Sequence, residues 1–188
     1  MDIIFDESNL RFTFDENHWT VIKYDDHPNH AAIKISEHKA IDFLGVYNDK
    51  TLVFFELKNY RKHRLDPSTQ AIMANGAEEL ATIIAKKVRD TVSGIVGFGR
   101  NPDSIDSILW SPISKKLIKS TNELYIISWV EEDVAHGHYP CQKQKAKSIS
   151  FLDKLKNKLK WLNVKVSIRH IGNLPSFDGF KVERLSEI

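Results

Sequence analysis

The sequence contains a single cysteine, Cys141, among its 188 residues. One cysteine cannot form an intramolecular disulfide, and its isolation excludes four-cysteine and zinc-ribbon metal sites. Two further absences concern targeting: Met1-Asp2 opens into acidic residues rather than a signal peptide, and no apolar run is long enough to cross a bilayer. We therefore expect a cytoplasmic protein that does not use a membrane as a partner.

The length predicts one good-sized domain with a substantial core. We expect residues 1–188 to form that domain, with a β-rich extension at 1–35 and a core at 36–188. The net charge of +2 conceals a segregation of charge, because residues 1–50 carry ten acidic against five Lys and Arg side chains. Residues 143–170 carry nine Lys and Arg against the single acid Asp153. Such a basic region favours a polyanionic partner, although lysines on one helix face can also serve only to keep that face solvated.

Two β-rich runs separated by the polar turn Asn48-Asp49-Lys50 predict a hairpin between residues 40 and 60. If the turn centres on Asp49, residues whose numbers add to 98 face each other. Asp42 and Glu56 are then directly opposed, with Cβ atoms roughly 4.5–5.5 Å apart. Lys58 shares their face because side chains alternate along a strand.

Two opposed carboxylates destabilise a hairpin unless a positive charge lies between them. A divalent cation with oxygen ligands fits this position, and Mg²⁺ is the usual occupant of sparse oxygen sites. An adjacent ammonium, here that of Lys58, would stabilise negative charge next to the ion. The alternative is an ordinary salt-bridged patch on a solvated sheet face. The largely apolar surroundings of the hairpin favour the metal-site interpretation.

The stretch Ile41-Asp42, a turn, and Glu56-Leu57-Lys58 resembles the active-site signature of the PD-(D/E)XK nuclease superfamily. The resemblance implies a restriction-endonuclease-like fold and a Mg²⁺-dependent nuclease, with Mn²⁺ able to substitute. It implies that Asp42 and Glu56 bind the metal, that the Leu57 carbonyl assists, and that Lys58 serves catalysis. Ile41 stands where the motif has proline. Many members also carry an acidic residue before the hairpin, and the candidates here are Glu16, Asp25 and Glu37.

Basic residues near this hairpin are the candidates for nucleic-acid binding. Arg61, Lys62 and Arg64 follow Lys58 closely in a polar loop, where they could grip phosphates. Lys86 and Arg89, together with Lys87, are expected on the outer side of a following helix. We expect the partner to be nucleic acid, with DNA preferred over RNA. Cutting both strands with one site per chain would favour a homodimer. We recognise no base-recognition motif in the sequence, so a separate partner would supply targeting.

Two other clusters are weaker candidates for a metal site. Glu131-Glu132-Asp133 follows a predicted strand, where acidic residues usually form a solvated turn. His136, His138 and Cys141 offer three zinc ligands within a Gly/Pro-containing loop, but no fourth ligand accompanies them.

Hydrophobic periodicity predicts three helices, over about 68–96, 104–119 and 148–162. Gly94 and the glycines after it are expected to end the first helix. A buried strand is predicted at 124–130. A half-exposed strand near a sheet edge is predicted at 164–169.

The N-terminal region predicts further β-structure. Alternation from Leu10 to Phe14, a turn, and a run from Trp19 indicate a hairpin that leads into the sheet. Pro28 indicates a loop. At most one short strand is expected after Gly172. We therefore expect an α/β fold with a central mixed β-sheet flanked by helices.

The function favoured by these features is metal-dependent hydrolysis of phosphodiester bonds. A catalytically lapsed nuclease-like fold that binds nucleic acid or protein is the main alternative. A metal-dependent hydrolase that acts on another substrate is the third.

Overall fold

The computed structural model describes residues 1–33, 38–61, 67–119, 121, 123–133 and 138–185, with the backbone alone for 67–75 and 138–140. In chain order, the strands are β1 (Asp2–Glu7), β2 (Leu10–Asp15), β3 (Trp19–Lys23), β4 (Phe43–Tyr47), β5 (Thr51–Asn59), β6 (Leu124–Glu131), β7 (Lys165–Arg169) and β8 (Phe180–Arg184). The helices are α1 (Pro28–Ile33), α2 (Pro67–Arg100), α3 (Ser107–Ile118) and α4 (His138–Leu159). A 3₁₀ turn, Lys160–Leu162, follows α4.

The central sheet has five strands in the order β3-β4-β5-β6-β7. The pairs β3/β4 and β4/β5 are antiparallel, whereas β5/β6 and β6/β7 are parallel. The predicted α/β class and mixed central sheet are therefore confirmed, as is the edge position of β7. The carboxyl ends of β5, β6 and β7 lie together at one end of the sheet, which is where open α/β sheets usually bind ligands.

Helices cover one face of the central sheet. The buried stripe of α2 includes Ala81, Ile84 and Val88, which pack with Phe54 of β5 in the larger core cluster. Helices α3 and α4 contribute Trp110 and other large apolar side chains to the same cluster. This apolar stripe explains why α2 forms here and why it lies along β5.

The backbone of α2 is kinked at Gly76, where φ is 77° and ψ is −166°, a conformation that favours glycine. The helix ends at Arg100, later than predicted, because Gly94 and Gly99 allow close packing rather than end the helix. A Cβ at Gly94 would collide with the Tyr24 side chain, and one at Gly99 would collide with Ser114 of α3.

The other face of the central sheet is covered by a second sheet, with the strand order β1-β2-β8. The aromatic rings of Phe12, Phe14 and Phe180 pack against Phe43 and Trp129 of the central sheet. Among the described residues, the helices predicted to flank the sheet all lie on one face, and the second sheet covers the other. Because β5 is apolar on both faces, its sequence does not reveal whether a helix or a sheet lies opposite.

Three local predictions are also corrected. Strand β2 pairs with β1 and β8 rather than with β3, so the predicted N-terminal hairpin is wrong. Pro28 begins α1 instead of breaking a helix, since proline is well tolerated at a first helical position. Helix α4 begins at His138, ten residues before the prediction, because its described residues from Cys141 to Ile149 lie largely exposed and show no apolar stripe. None of the helices in the described ranges is both long and apolar enough to cross a membrane.

Candidate active site on the β4–β5 hairpin

The hairpin has the predicted register. Phe43 pairs with Phe55 and Tyr47 with Thr51, so paired residue numbers add to 98. Asn48 and Asp49 adopt positive φ values of 47° and 51°, which asparagine and aspartate tolerate better than most side chains. The turn chemistry therefore fixes which residues of β5 face the segment that enters β4.

Asp42 lies immediately before β4 and is held by three backbone hydrogen bonds. Its N–H donates to the Phe55 carbonyl at 3.1 Å, and its own carbonyl accepts from the Tyr24 N–H at 2.9 Å. Its Oδ2 accepts from the Leu57 N–H at 2.5 Å. The Asp42 carboxylate thus takes the place of a backbone acceptor for β5 beyond the end of β4. Its other oxygen, Oδ1, faces Lys87 of α2.

The segment before Asp42 is anchored to α2. The Ile41 N–H donates to Thr91 Oγ1 at 3.2 Å, and the Lys39 N–H donates to Asp90 Oδ2 at 3.1 Å. These bonds satisfy buried backbone donors at a point where the sheet ladder has ended. They also fix the position of α2 relative to the hairpin.

Glu56 is completely buried on the face of β5 that packs against α2. Burial raises the pKa of its carboxyl group, and the neighbouring Asp42 charge raises it further, whereas Lys58 and Lys87 oppose the shift. In the parallel pairing with β6, Glu56 lies beside Ser128, whose buried hydroxyl has no hydrogen-bond partner among the described residues. Burying the charged form of Glu56 therefore costs free energy. Among the described residues, Glu56 Oε1 and the Ser128 hydroxyl beside it accept or donate no hydrogen bond.

Lys87 of α2 bridges the two carboxylates. Its Nζ lies 2.8 Å from Glu56 Oε2 and 3.3 Å from Asp42 Oδ1. The sequence-based expectation that Lys87 lies on the outer side of the helix is wrong, because it points inward and its side chain is only 16% exposed. An ammonium therefore occupies the position between the carboxylates where the sequence predicts a divalent cation.

Lys58 contacts the same cluster from β5. Its Nζ lies 2.8 Å from Glu56 Oε1, an ion pair that is not aligned as a hydrogen bond. Burial by itself lowers the pKa of Lys58, but the carboxylates of Glu56 and Asp42 outweigh burial and hold the pKa above its usual value. Lys58 is therefore an ammonium at neutral pH, able to donate hydrogen bonds but not to accept a proton.

Asp25, one of three candidates for an additional acidic residue, lies close enough to Asp42 to interact with it electrostatically. Burial raises the pKa of Asp25 to about 6, with the Asp42 charge as the next cause, and its Oδ1 has no hydrogen-bond partner among the described residues. Glu16 instead pairs with the amino terminus of Met1, on the exposed surface. Glu37 lies outside the described residues.

The raised pKa of Asp25 predicts a pH-dependent effect of Asp25→Asn. The folded state binds the proton more tightly than the unfolded state, so ionised Asp25 destabilises the fold as the pH rises through about 4 to 6. Other charged groups that act on Asp25 are Lys23, Asp26 and Glu7. After allowance for solvent screening, we expect the variant to be about 1 kcal/mol more stable than the wild type at pH 8 and equal to it near pH 4.

Urea unfolding of both proteins at the two pH values measures this effect. Asp26→Asn, at the exposed neighbouring position, is the control and should give no comparable gain. Equal stability of wild type and Asp25→Asn at pH 8 would contradict a partly buried, ionised Asp25.

The donor set at this site suits a hard divalent cation. Asp42 Oδ1 and Glu56 Oε2 converge on one point, now held by the Lys87 ammonium, and Mg²⁺ commonly takes one or two carboxylates with waters completing its shell. Within the described part of the chain, no group of three or more His, Cys, Asp or Glu side chains is arranged to hold a metal ion. The site thus fits a sparse magnesium centre, provided that the Lys87 ammonium moves away.

The residues predicted to bind nucleic acid are dispersed. Arg61 is partly buried at the end of β5, Lys86 is exposed on α2, and Arg89 pairs with Asp90 at 2.7 Å while remaining 62% exposed. Lys62 and Arg64 lie outside the described residues. Among the described residues, the cations paired with Asp42 and Glu56 are Lys58 and Lys87, and none of Arg61, Lys86 and Arg89.

The two weaker metal candidates fare differently. Glu131 is buried, and its Oε1 accepts from the Trp129 indole at 3.1 Å and from the Ile171 N–H at 2.7 Å, so its carboxylate is engaged in structure. Glu132 accepts from Gln144 at 3.0 Å. His136 and the side chain of His138 lie outside the described residues, and Cys141 is exposed.

Sequence reasoning missed Lys87 as a member of the site and did not choose Asp25 among its candidates. A signal for Lys87 was present, because it lies three residues after buried Ile84 and four before buried Thr91, which places it beside the buried stripe. Comparisons of this chain with protein-family models, with curated proteins and with solved structures find no match.

Proposed function

We propose that this protein is a metal-dependent nuclease whose active site is the cluster of Asp42, Glu56 and Lys58. The observation that carries the proposal is the convergence of Asp42 Oδ1 and Glu56 Oε2 on one cation position, with Lys58 Nζ 2.8 Å from the second oxygen of Glu56. The mixed sheet and the hairpin register also support the restriction-endonuclease-like fold implied by the sequence motif.

Asp42 and Glu56 would hold Mg²⁺ or Mn²⁺ through these two oxygens, with the Leu57 carbonyl as a further candidate ligand. A bound divalent cation supplies a Lewis acid that lowers the pKa of coordinated water and neutralises charge on a phosphate. In the hydrolysis, the water oxygen forms a bond to phosphorus, the bond from phosphorus to the leaving sugar oxygen breaks, and that oxygen takes up a proton.

Lys58 would donate hydrogen bonds to the phosphate oxygens as negative charge develops on them. Its raised pKa supports this role over that of a general base, because a lysine that stays protonated cannot accept a proton from water. The backbone hydrogen bonds of Asp42 keep its carboxylate fixed, so little reorganisation is needed during the reaction.

Cleavage assays on supercoiled plasmid, linear duplex, single-stranded DNA and RNA, each with Mg²⁺ or Mn²⁺, test this function. We expect cutting by the wild type and a fall of about 100-fold or more in Lys58→Met, the size of effect seen when one oxyanion donor is removed. Lys165→Met, which removes an exposed lysine paired with Glu123, is the matched control and should cut like the wild type. Equal cutting by Lys58→Met would remove Lys58 from the mechanism.

A second candidate function is a nuclease-like module that binds nucleic acid without cutting it. The Lys87 bridge favours it, since the ammonium groups of Lys87 and Lys58 together balance the two carboxylate charges without a metal ion. This candidate predicts no cleavage with any metal, while neutralising Asp42 or Glu56 leaves nucleic-acid affinity unchanged or raises it by removing repulsion.

A further inference from the structure

A cavity of about 510 Å³ opens at the carboxyl ends of β5, β6 and β7, between the start of α2 and helix α4. Its volume lies within the range of small-molecule sites, roughly 300–1,000 Å³. Its position at the carboxyl ends of parallel strands is where α/β sheets usually bind ligands.

The cavity begins beside Lys58. Val130, the direct partner of Lys58 in the parallel β5–β6 ladder, lines the cavity. Tyr60, which directly follows β5 and donates its N–H to the Glu131 carbonyl, lines it as well. Leu80 of α2 also lines it and lies seven residues before Lys87, roughly 10 Å along the helix from the carboxylate pair.

The walls combine apolar surface with positive charge. Apolar side chains of α2, α4 and β7, among them Leu80, Phe151 and Ile168, form one part of the lining. Lys145 and Lys147 of α4 are exposed and lie at the same cavity, as does Arg184 of β8, which pairs with Glu131 Oε2 at 3.6 Å. Of the lining carboxylates, Glu131 is already hydrogen bonded within the fold, and Glu132 accepts from Gln144.

One buried hydroxyl in the cavity wall, that of Tyr60, makes no hydrogen bond to the described residues. The Tyr60 side chain is 7% exposed. A ligand with a flat, partly polar body and an anionic group would complement the apolar walls, the spare hydroxyl and the lysines together. A nucleotide has this combination of a stacking base and a phosphate.

We propose that this cavity binds one nucleotide, with its base against the apolar walls and its phosphate at Lys145 and Lys147, as a subsite next to the scissile phosphate. The assignment of the subsite rests on the proposed nuclease function. The binding of a nucleotide by itself does not, because the lining residues are distinct from the cluster of Asp42, Glu56 and Lys58.

Calorimetric titration of the full chain with dAMP and dTMP, in EDTA and low salt, tests the proposal without metal or catalysis. We expect saturable binding of both nucleotides. Lys145→Glu combined with Lys147→Glu should weaken it at least tenfold, and Ala77→Trp, which fills the cavity from α2, should weaken it similarly. Lys156→Glu, an exposed site on the same helix that does not line the cavity, is the matched control and should bind like the wild type.

Failure of both nucleotides to bind at millimolar concentration would overturn the proposal, as would equal binding by the wild type and the cavity variants. Binding of decanoate in place of the nucleotides would also overturn it, by assigning the cavity to an apolar acid. Nucleotide binding in a protein that shows no cleavage would support the cavity as a nucleotide site while rejecting catalysis. Cleavage without nucleotide binding would reject the subsite alone.

Discussion

Replacing Lys87 by methionine is expected to lower the free energy of unfolding by about 3 kcal/mol in the absence of divalent metal. The substitution keeps the length of the side chain but removes the cation that bridges Asp42 and buried Glu56. Among the described residues, Glu56 then keeps the ion pair with Lys58 alone. Removing one member of a buried ion pair is strongly destabilising, because the partner charge stays buried without compensation. The partial exposure of Lys87 places the expected loss at the lower end of that range.

Divalent metal should reverse much of this loss. If Lys87 occupies the cation position, its removal frees both carboxylates for metal, and a ligand present at 100 times its dissociation constant stabilises by about 2.7 kcal/mol. Chemical unfolding of wild type and variant, with EDTA or with saturating Mn²⁺, measures both effects. The Lys87→Met protein should gain more from Mn²⁺ than the wild type does.

Lys116→Met provides a closely matched control. The Lys116 side chain is equally shielded at 16% exposure, but its carboxylate partner Asp49 is 93% exposed. Its substitution should cost less than about 1 kcal/mol, as for surface ion pairs, and should show no added response to metal. If Mn²⁺ stabilises Lys87→Met no more than Lys116→Met, the Lys87 bridge is a structural ion pair and not an occupied cation site.

The second large effect is expected in Glu56→Gln, whose metal-dependent cleavage should fall about 1,000-fold. Glutamine preserves size while removing one of two charged ligands, and metal catalysis contributes several kcal/mol to such reactions, each 1.36 kcal/mol being a factor of ten in rate. Because burial raises the pKa of Glu56, a neutral amide is compatible with this environment and the variant should remain folded.

Cleavage rates at saturating substrate, with circular dichroism as the check on folding, measure this prediction. Glu123→Gln, an exposed glutamate paired with Lys165, is the control and should cut at the wild-type rate. Retention of full activity in folded Glu56→Gln would place the catalytic centre elsewhere in the chain.

The hairpin cluster could be predicted from the sequence because Asp42, Glu56 and Lys58 lie close together along the chain. The polar turn sets the register of β4 and β5, so Asp42, just before β4, lies beside the segment from Phe55 to Leu57 and shares Lys87 with Glu56. Lys58 reaches the same cluster through Glu56. The register needs only the alternation of side chains along a strand and the length of the turn.

The remaining parts of the site depend on contacts between elements distant in sequence. Lys87 enters the site because α2 lies along β5, and Asp25 approaches it through the pairing of Tyr24 with Asp42. A lysine beside the buried stripe of a helix commonly points to solvent. The inward direction of Lys87 follows from its ion pairs with Asp42 and Glu56, which the sequence pattern of the helix does not show.

The same limit explains the errors in the fold. Strand β2 could pair with β3 through a short turn, but its partners are β1 and the distant β8. The apolar faces of Phe12 and Phe14 indicate burial without identifying what covers them. The second sheet therefore emerges only from the pairing of the two ends of the chain.

The most direct test of the central claim is calorimetric titration of metal-free protein with MnCl₂, without nucleic acid, comparing the wild type with the double variant Asp42→Asn/Glu56→Gln. The claim that these carboxylates share a divalent cation predicts one saturable site per chain in the wild type and its loss in the folded double variant. Absence of saturable binding in the wild type, or unchanged binding in the double variant, would contradict it.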